Sequence, residues 1–79
     1  MPVIDFYTRK GCHLCEHAKE ELIGLQKEYS FSINEIDIET SDELTEKYGL
    51  MIPVFSLDGE ELGYGHVNEF DISKRLQKK

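Results

Sequence analysis

The 79-residue sequence predicts an α/β domain of element order βαβαββα, with a four-stranded mixed sheet flanked by helices. Three observations carry that prediction. The apolar pattern switches repeatedly between the alternation of strands and the longer period of helices. The chain opens as strand, helix, strand, a unit that closes as a parallel pair with a right-handed crossover. Asp58-Gly59 then lies between two short apolar runs, a strong hairpin signal that makes the last two strands antiparallel.

Val3 to Tyr7 is β-branched or aromatic except at Asp5, and reads as a central strand apolar on both faces. Arg9-Lys10-Gly11 is a turn. From about His13 to Tyr29 the period is helical, with Leu14, Ala18, Leu22 and Leu25 on one stripe flanked by Cys15 and Ile23. Charged residues fill the solvated face. Gly24 weakens this helix by about 1 kcal/mol relative to Ala unless close packing requires it. Phe31 to Ile38 is the second strand. Phe31 and Ile33 share one parity, Ile36 and Ile38 the other, so the strand either carries a bulge or buries opposite faces at its two ends.

Ser41 or Thr40 caps a short second helix, whose first turn carries acids that suit the helix dipole. Gly49 ends it. Ile52 to Leu57 is the third strand and Glu60 to Tyr64 the fourth. Gly63 and Gly65 bracket a turn. Asn68 or Asp71 caps a last helix with Phe70, Ile72 and Leu76 as its apolar residues, and Lys78 and Lys79 suit its C-terminus.

Residues 1–79 form one domain, without repeats, low-complexity tracts or linkers. Sixteen acids against nine bases give a net charge of −7, which argues against a nucleic-acid partner. No apolar run approaches the roughly 18 residues needed to span a bilayer. Met1 to Lys10 lacks the basic and apolar regions of a signal peptide. The expectation is a cytoplasmic monomer away from membranes.

Both cysteines, Cys12 and Cys15, lie within one short stretch. A bridge between them closes almost no loop and adds little by chain entropy, so its value is chemical rather than structural. The pair stands between a strand and a helix. There Cys12 meets the unsatisfied N–H groups of the first turn, which favour its thiolate. Cys15, one turn on and beside Ala18 and Leu22, is the buried resolving thiol. Lowering a thiol pKa from about 8.5 to roughly 6.5 raises the thiolate fraction at neutral pH about 25-fold. Intrinsic nucleophilicity falls roughly tenfold over the same interval, so the site reads as redox poise more than speed. Arg9, Lys10, His13 and His17 surround Cys12 in an otherwise acidic chain. His13 follows the nucleophile directly and is a candidate for tuning its potential, against the plainer reading of an exposed helix-start residue. His17 reads as a surface residue.

Metal chemistry is the rival. A structural zinc site draws four ligands from two separated segments. Here Cys12, His13, Cys15 and His17 crowd one helical start, and at about 100° per residue the cysteines and histidines face different ways. His66 is a candidate ligand from elsewhere. Haem attachment needs a histidine after Cys15, where the chain has Glu16. An iron–sulfur cluster bridging two chains through Cys12 stays open.

Several motifs together resemble the thioredoxin superfamily, and within it the glutaredoxin-like branch. Tyr7-Thr8-Arg9-Lys10-Gly11-Cys12 is similar to the Tyr-Ser/Thr-Lys-x-x-Cys run of glutaredoxins, with Arg9 in the lysine's place. Ile52-Pro53-Val54 stands where the family has a proline, usually cis, opening the third strand. Gly63-Tyr64-Gly65 stands at its glycine turn. Cys-His-Leu-Cys-Glu resembles small bacterial glutaredoxin-like proteins, whereas thioredoxins carry Trp before the first cysteine and Pro before the second. The resemblance implies a thioredoxin-like fold and a cis Pro53 that turns the Ile52 backbone toward Cys12. It also implies Gly65 at the substrate site and Arg9 as the binder of a substrate carboxylate, more firmly than Lys would. Departures are specific. Glutathione-dependent members have Cys-Pro-Tyr-Cys, Thr-Val-Pro, and Gly-Gly followed by an acid, where this chain has Asn68 and Glu69 after His66-Val67. Thioredoxins place an aspartate near the position of Asp5 that accepts a proton during resolution, which makes Asp5 a candidate proton acceptor for Cys15. A strand carboxylate otherwise costs free energy unless it reaches solvent.

The reading is therefore a dithiol thiol–disulfide oxidoreductase. Cys12 attacks a protein disulfide or a glutathione mixed disulfide, and Cys15 resolves the intermediate. Arg9 and His13 stabilise the thiolate, and Ile52, Pro53 and Gly65 present the substrate. No bound cofactor is expected, and glutathione or a reductase recycles the dithiol. The alternative is a non-catalytic binding module of the same fold that holds a metal or cluster or docks a partner protein.

Overall fold

A computed structural model describes residues 2–65 and 67–77, with the side chain of residue 77 left aside. The expectations for His66, Lys78 and Lys79 lie outside the described residues. The elements are β1 (Val3–Thr8), α1 (His13–Leu25), β2 (Ser32–Asp37), a 3-10 turn (Ile38–Thr40), α2 (Asp42–Tyr48), β3 (Val54–Leu57), β4 (Glu60–Tyr64) and α3 (Glu69–Gln77). The sheet order is β2-β1-β3-β4, with β1 and β2 parallel and the other pairs antiparallel. This is the four-stranded mixed sheet that the sequence predicts.

Strand alternation divides the molecule into two cores. Ile4 and Phe6 of β1 share a face with Phe55 and Leu57 of β3. Onto that face pack Cys15, Ala18, Leu22 and Leu25 of α1, with Val67, Ile72 and Leu76 from the α3 side. On the opposite face Val54, Ile38 and Tyr48 form a smaller core, where the Tyr7 ring lies 4.5 Å from that of Tyr48. β1 is central, as expected. Its outer positions are not fully buried: Val3 is exposed, and Asp5 and Tyr7 are half-buried.

The parity switch in the second strand resolves without a bulge. β1 and β2 stay in continuous register from Val3↔Ser32 to Thr8↔Asp37. Phe31 and Ile33 belong to the larger core and Ile38 to the smaller one. The two ends bury opposite faces because the chain crosses from the α1 side to the α2 side of the sheet.

Three details differ from expectation. The stripe of α1 is Cys15, Ala18, Leu22 and Leu25, while Leu14 is 61% exposed and Ile23 also faces solvent. The helix ends at Leu25 rather than near Tyr29. Beyond it the amides of Lys27 and Glu28 bond back only three residues, and the Gln26 side chain donates to the Phe31 carbonyl at 2.9 Å. No apolar residue at 26–28 rewards another turn. Phe70 projects into solvent, whereas Ile72 is buried.

The helix caps follow the chemistry of their residues. Ser41 Oγ accepts from the Leu44 amide at 3.3 Å, and Asn68 Oδ1 accepts from the Asp71 amide at 3.1 Å. Gly49 ends α2 without entering the left-handed region; a Cβ there would run into the Thr45 carbonyl oxygen. Asp58 and Gly59 both take positive φ, 51° and 82°, the hairpin geometry that Asp-Gly favours. Gly24 meets open space where a Cβ would stand, so close packing does not require it. Gly24→Ala is expected to raise unfolding stability by about 0.5–1 kcal/mol, read from the urea midpoint.

Candidate functional site

β1 delivers the chain to Thr8, and the loop Arg9-Lys10-Gly11 turns it into α1. Gly11 has φ 78°, a conformation glycine adopts without steric cost, and it sets Cys12 at the helix start. Cys12 is the N-cap of α1, with φ −92° and ψ 105°. Its Sγ accepts the Cys15 amide at 3.3 Å and its carbonyl accepts the Glu16 amide at 3.1 Å. The sulfur thus stands where a capping oxygen usually stands, on an orphan N–H of the first turn. Cys12 is half-buried and rests on the larger core, as does Ile52.

Cys15 lies one turn further, only 2% exposed and among Ala18, Leu22, Ile4 and Phe6. Both thiols are free. Burial pushes the Cys15 thiol up from its ordinary range, and its hydrogen bond with Cys12 and the proximity of that thiol add to the rise. Hydrogen bonds from the Thr8 side chain and the Arg9 backbone act the other way. The dithiol is therefore asymmetric, with one sulfur partly exposed at the helix start and the other enclosed.

Beside the dithiol is a cleft of about 540 Å³ between the β1–α1 loop, α1 and the edge strand β2. Thr8 and Cys15 line it. So do Arg9, Lys10 and Lys19, which meet Glu16, Glu35 and Asp37. Lys19 pairs with Glu35 at 2.9 Å, and His13 stands 3.8 Å from Glu16. The expected positive island around Cys12 is thus a mixed surface. Parallel pairing of β2 with β1 brings Glu35 and Asp37 to the same end of the sheet as Arg9, a long-range juxtaposition that local charge counting misses.

The other predicted residues divide. Arg9 is exposed on the loop, and its backbone reaches Cys15. The His13 side chain is almost wholly in solvent, and His17 is exposed. The Ile52–Pro53 bond is cis. The Ile52 amide donates to the Tyr48 carbonyl at 3.1 Å, and the Gly65 amide donates to the Pro53 carbonyl at 2.7 Å, fastening the glycine turn to the proline. Asn68 and Glu69 are exposed at the start of α3, where the Asn68 side chain is its cap. Asp5 is not brought to Cys15. It alternates to the opposite face from Ile4 and Phe6, and its Oδ1 accepts from Asn34 at 3.0 Å. Among the described residues no group of three or more His, Cys, Asp or Glu side chains gathers as a metal site. No helix among them is long and apolar enough to cross a membrane.

Thr8 is the residue that sequence reasoning passes over. Its signal is strand parity: Ile4, Phe6 and Thr8 must face α1 together, so Thr8 comes to line the same cleft as Cys15.

The comparisons agree with this geometry. A family model described as "Glutaredoxin-like domain (DUF836)" matches residues 3–77. An uncharacterized protein of Mycobacterium bovis is 33% identical over 73 residues, covering 86% of this chain and 75% of its own. The solution structure of protein Ne2328 from Nitrosomonas europaea superposes with a TM-score of 0.87 at 31% identity, covering 96% of this chain and 92% of that one. The X-ray structure of protein XcR50 from X. campestris does so with a TM-score of 0.76 at 27% identity, covering 92% and 93%. A thioredoxin mutant from Halobacterium salinarum shares the fold, with a TM-score of 0.69 at 20% identity over 96% of this chain and 72% of that one. A sulfur-capped helix after the first strand, a cis proline before the third and a family match over almost the whole length converge: the chain, which has the thioredoxin fold, belongs to the glutaredoxin-like (DUF836) family.

Proposed function

We propose that this protein is a dithiol thiol–disulfide oxidoreductase that works through Cys12 and Cys15. The observation that supports the reading is the sulfur of Cys12 in the N-cap position of α1, one turn from a buried partner thiol. Cys12 thiolate attacks one sulfur of a substrate disulfide; an S–S bond forms, the old one breaks, and the departing sulfur takes a proton from solvent. Cys15, deprotonated, then attacks Cys12 Sγ. The Cys12–Cys15 disulfide forms and the second substrate sulfur leaves and is protonated. The substrate gains two electrons and the dithiol loses two.

The substrate is an exposed disulfide of a protein or a mixed disulfide with glutathione, and glutathione or a reductase returns the dithiol to its reduced form. Ile52 meets an extended substrate through its carbonyl, since its amide already serves the end of α2. Arg9, exposed beside the dithiol, offers a fork for a substrate carboxylate. His13 stands beside the first turn of α1, next to Cys12. Asp5, on the opposite face of β1 from Ile4 and Phe6, is left out of this scheme.

A disulfide-reduction assay coupled to glutathione or to a thioredoxin reductase tests the proposal. Turnover with the reduced wild-type protein, abolished in Cys12→Ser, is the expected result. A Cys12→Ser variant as active as wild type, or a wild type without turnover on protein and glutathione disulfides alike, overturns it.

A further inference from the structure

We propose that Thr8 is a positioning residue for the second half of this exchange: its buried hydroxyl, with the Arg9 amide, hydrogen-bonds the Cys15 sulfur and holds it as the anion that attacks Cys12. The inference rests on the dithiol reading and extends it to the step that structure makes hardest.

That step needs a thiolate inside a core. Cys15 is enclosed by Ile4, Phe6, Ala18 and Leu22, none of which can stabilise charge. An unassisted anion there loses its hydration without replacement. The face of β1 turned toward Cys15 carries Ile4, Phe6 and Thr8, so Thr8 is its one polar residue. Thr8 is itself only 8% exposed, and no buried side-chain oxygen or nitrogen among the described residues lacks a hydrogen-bond partner. Thr8 and Arg9 line one cleft with Cys15, and of the groups around that thiol the Thr8 side chain and the Arg9 backbone are the two that favour its charged form. Rigid strand pairing, Thr8↔Asp37, fixes the hydroxyl without the entropy cost of a long side chain. The carboxylate of Asp5 is on the other side of the sheet.

Other charges face Cys15 across the cleft. Arg9 and Lys10 come from the loop, Glu16 and Lys19 from α1, and Glu35 and Asp37 from β2. Both signs are present in equal number among these six, so their net effect is small beside direct donors to the sulfur. Cys15 loses its proton to water at this cleft. The sulfur pair then forms the Cys12–Cys15 bond, while the substrate sulfur departs with the electron pair of its broken bond and is protonated from solvent.

The test uses Cys12→Ser as background, so that Cys15 is the one thiol, its titration followed by the NMR shift of its β-carbon. Adding Thr8→Val should move the Cys15 titration upward by about one pH unit, a tenfold fall in thiolate fraction, as expected for one lost hydrogen bond. Thr8→Ser should restore it. In the two-cysteine protein, Thr8→Val should slow resolution of a preformed mixed disulfide about tenfold at neutral pH and leave Cys12 alkylation unchanged. An unmoved titration with Val, or a Ser variant that behaves as Val does, overturns the role, the latter because both then report only lost packing. The titration decides for Thr8 even where wild-type and Cys12→Ser proteins show equal turnover, a result that would instead remove the proposed function.

Discussion

Cys15→Ser is expected to stop the reduction of a protein disulfide at the mixed intermediate. Cys12 keeps its capping position, because the serine retains the backbone amide that donates to its sulfur. The first attack therefore proceeds and one equivalent of substrate stays attached, visible by mass spectrometry without reductant. Steady-state reduction should fall by about 100-fold or more, as for other removals of a covalent-catalysis partner. The same variant also identifies the electron donor. Turnover that returns on a glutathionylated substrate when glutathione is added shows that a free thiol replaces Cys15. Loss on both substrates points to a reductase that needs the complete dithiol. An untrapped, fully active Cys15→Ser protein with protein disulfides alone would contradict the two-step scheme.

The pH dependence of that scheme has a definite sign. Burial holds the Cys15 thiol above its ordinary range. Below that raised pKa each additional pH unit increases the thiolate fraction about tenfold, so resolution accelerates with rising pH through the neutral and mildly alkaline range. Single-turnover release of substrate from the mixed disulfide measures it directly, and a flat profile between about pH 7 and 9 would be inconsistent with an enclosed Cys15.

Much of the fold is legible because it rests on local signals. The Asp58-Gly59 hairpin, the Ser41 and Asn68 caps and the strand–helix position of Cys12 each involve neighbours a few residues apart. What escapes is set by distant parts of the chain. Leu14 and Cys15 are adjacent, and both fit an apolar stripe when α1 is read alone. Only packing on Ile4 and Phe6 selects Cys15 and leaves Leu14 in solvent. Asp5 fails as a partner for Cys15 by one residue of parity, since a strand turns successive side chains to opposite faces. The charge around Cys12 is misjudged for a similar reason. Glu35 and Asp37 lie far along the chain, and parallel pairing with β1 brings them into one cleft with Arg9 and Lys10. The family resemblance, in contrast, rests on residues close to the motifs themselves, and it extends to the cis bond before Pro53.

Phe6→Ala should be the most damaging single substitution in the sheet, and Phe70→Ala nearly silent, although both remove one phenyl ring. Phe6 is fully buried and stacks on Phe55, with ring centroids 5.5 Å apart and planes within 10°. The pair sits at the Phe6↔Phe55 register position of the two central strands, under α1. Truncation removes the buried area and leaves a cavity that two paired strands cannot collapse to fill, at a cost of about 3–5 kcal/mol. A domain of this size has only about 4–12 kcal/mol in total. Each kcal/mol lowers Tm by about 4–8 °C, so a fall of roughly 12–40 °C is expected. Phe70 is 72% exposed on α3, where its ring borders Lys74 rather than the core, and its truncation should stay within about 0.5 kcal/mol. Thermal unfolding of the two variants side by side checks this. Similar losses from both would mean that α3 buries Phe70, and that the apolar face of this helix is the one its sequence pattern suggests.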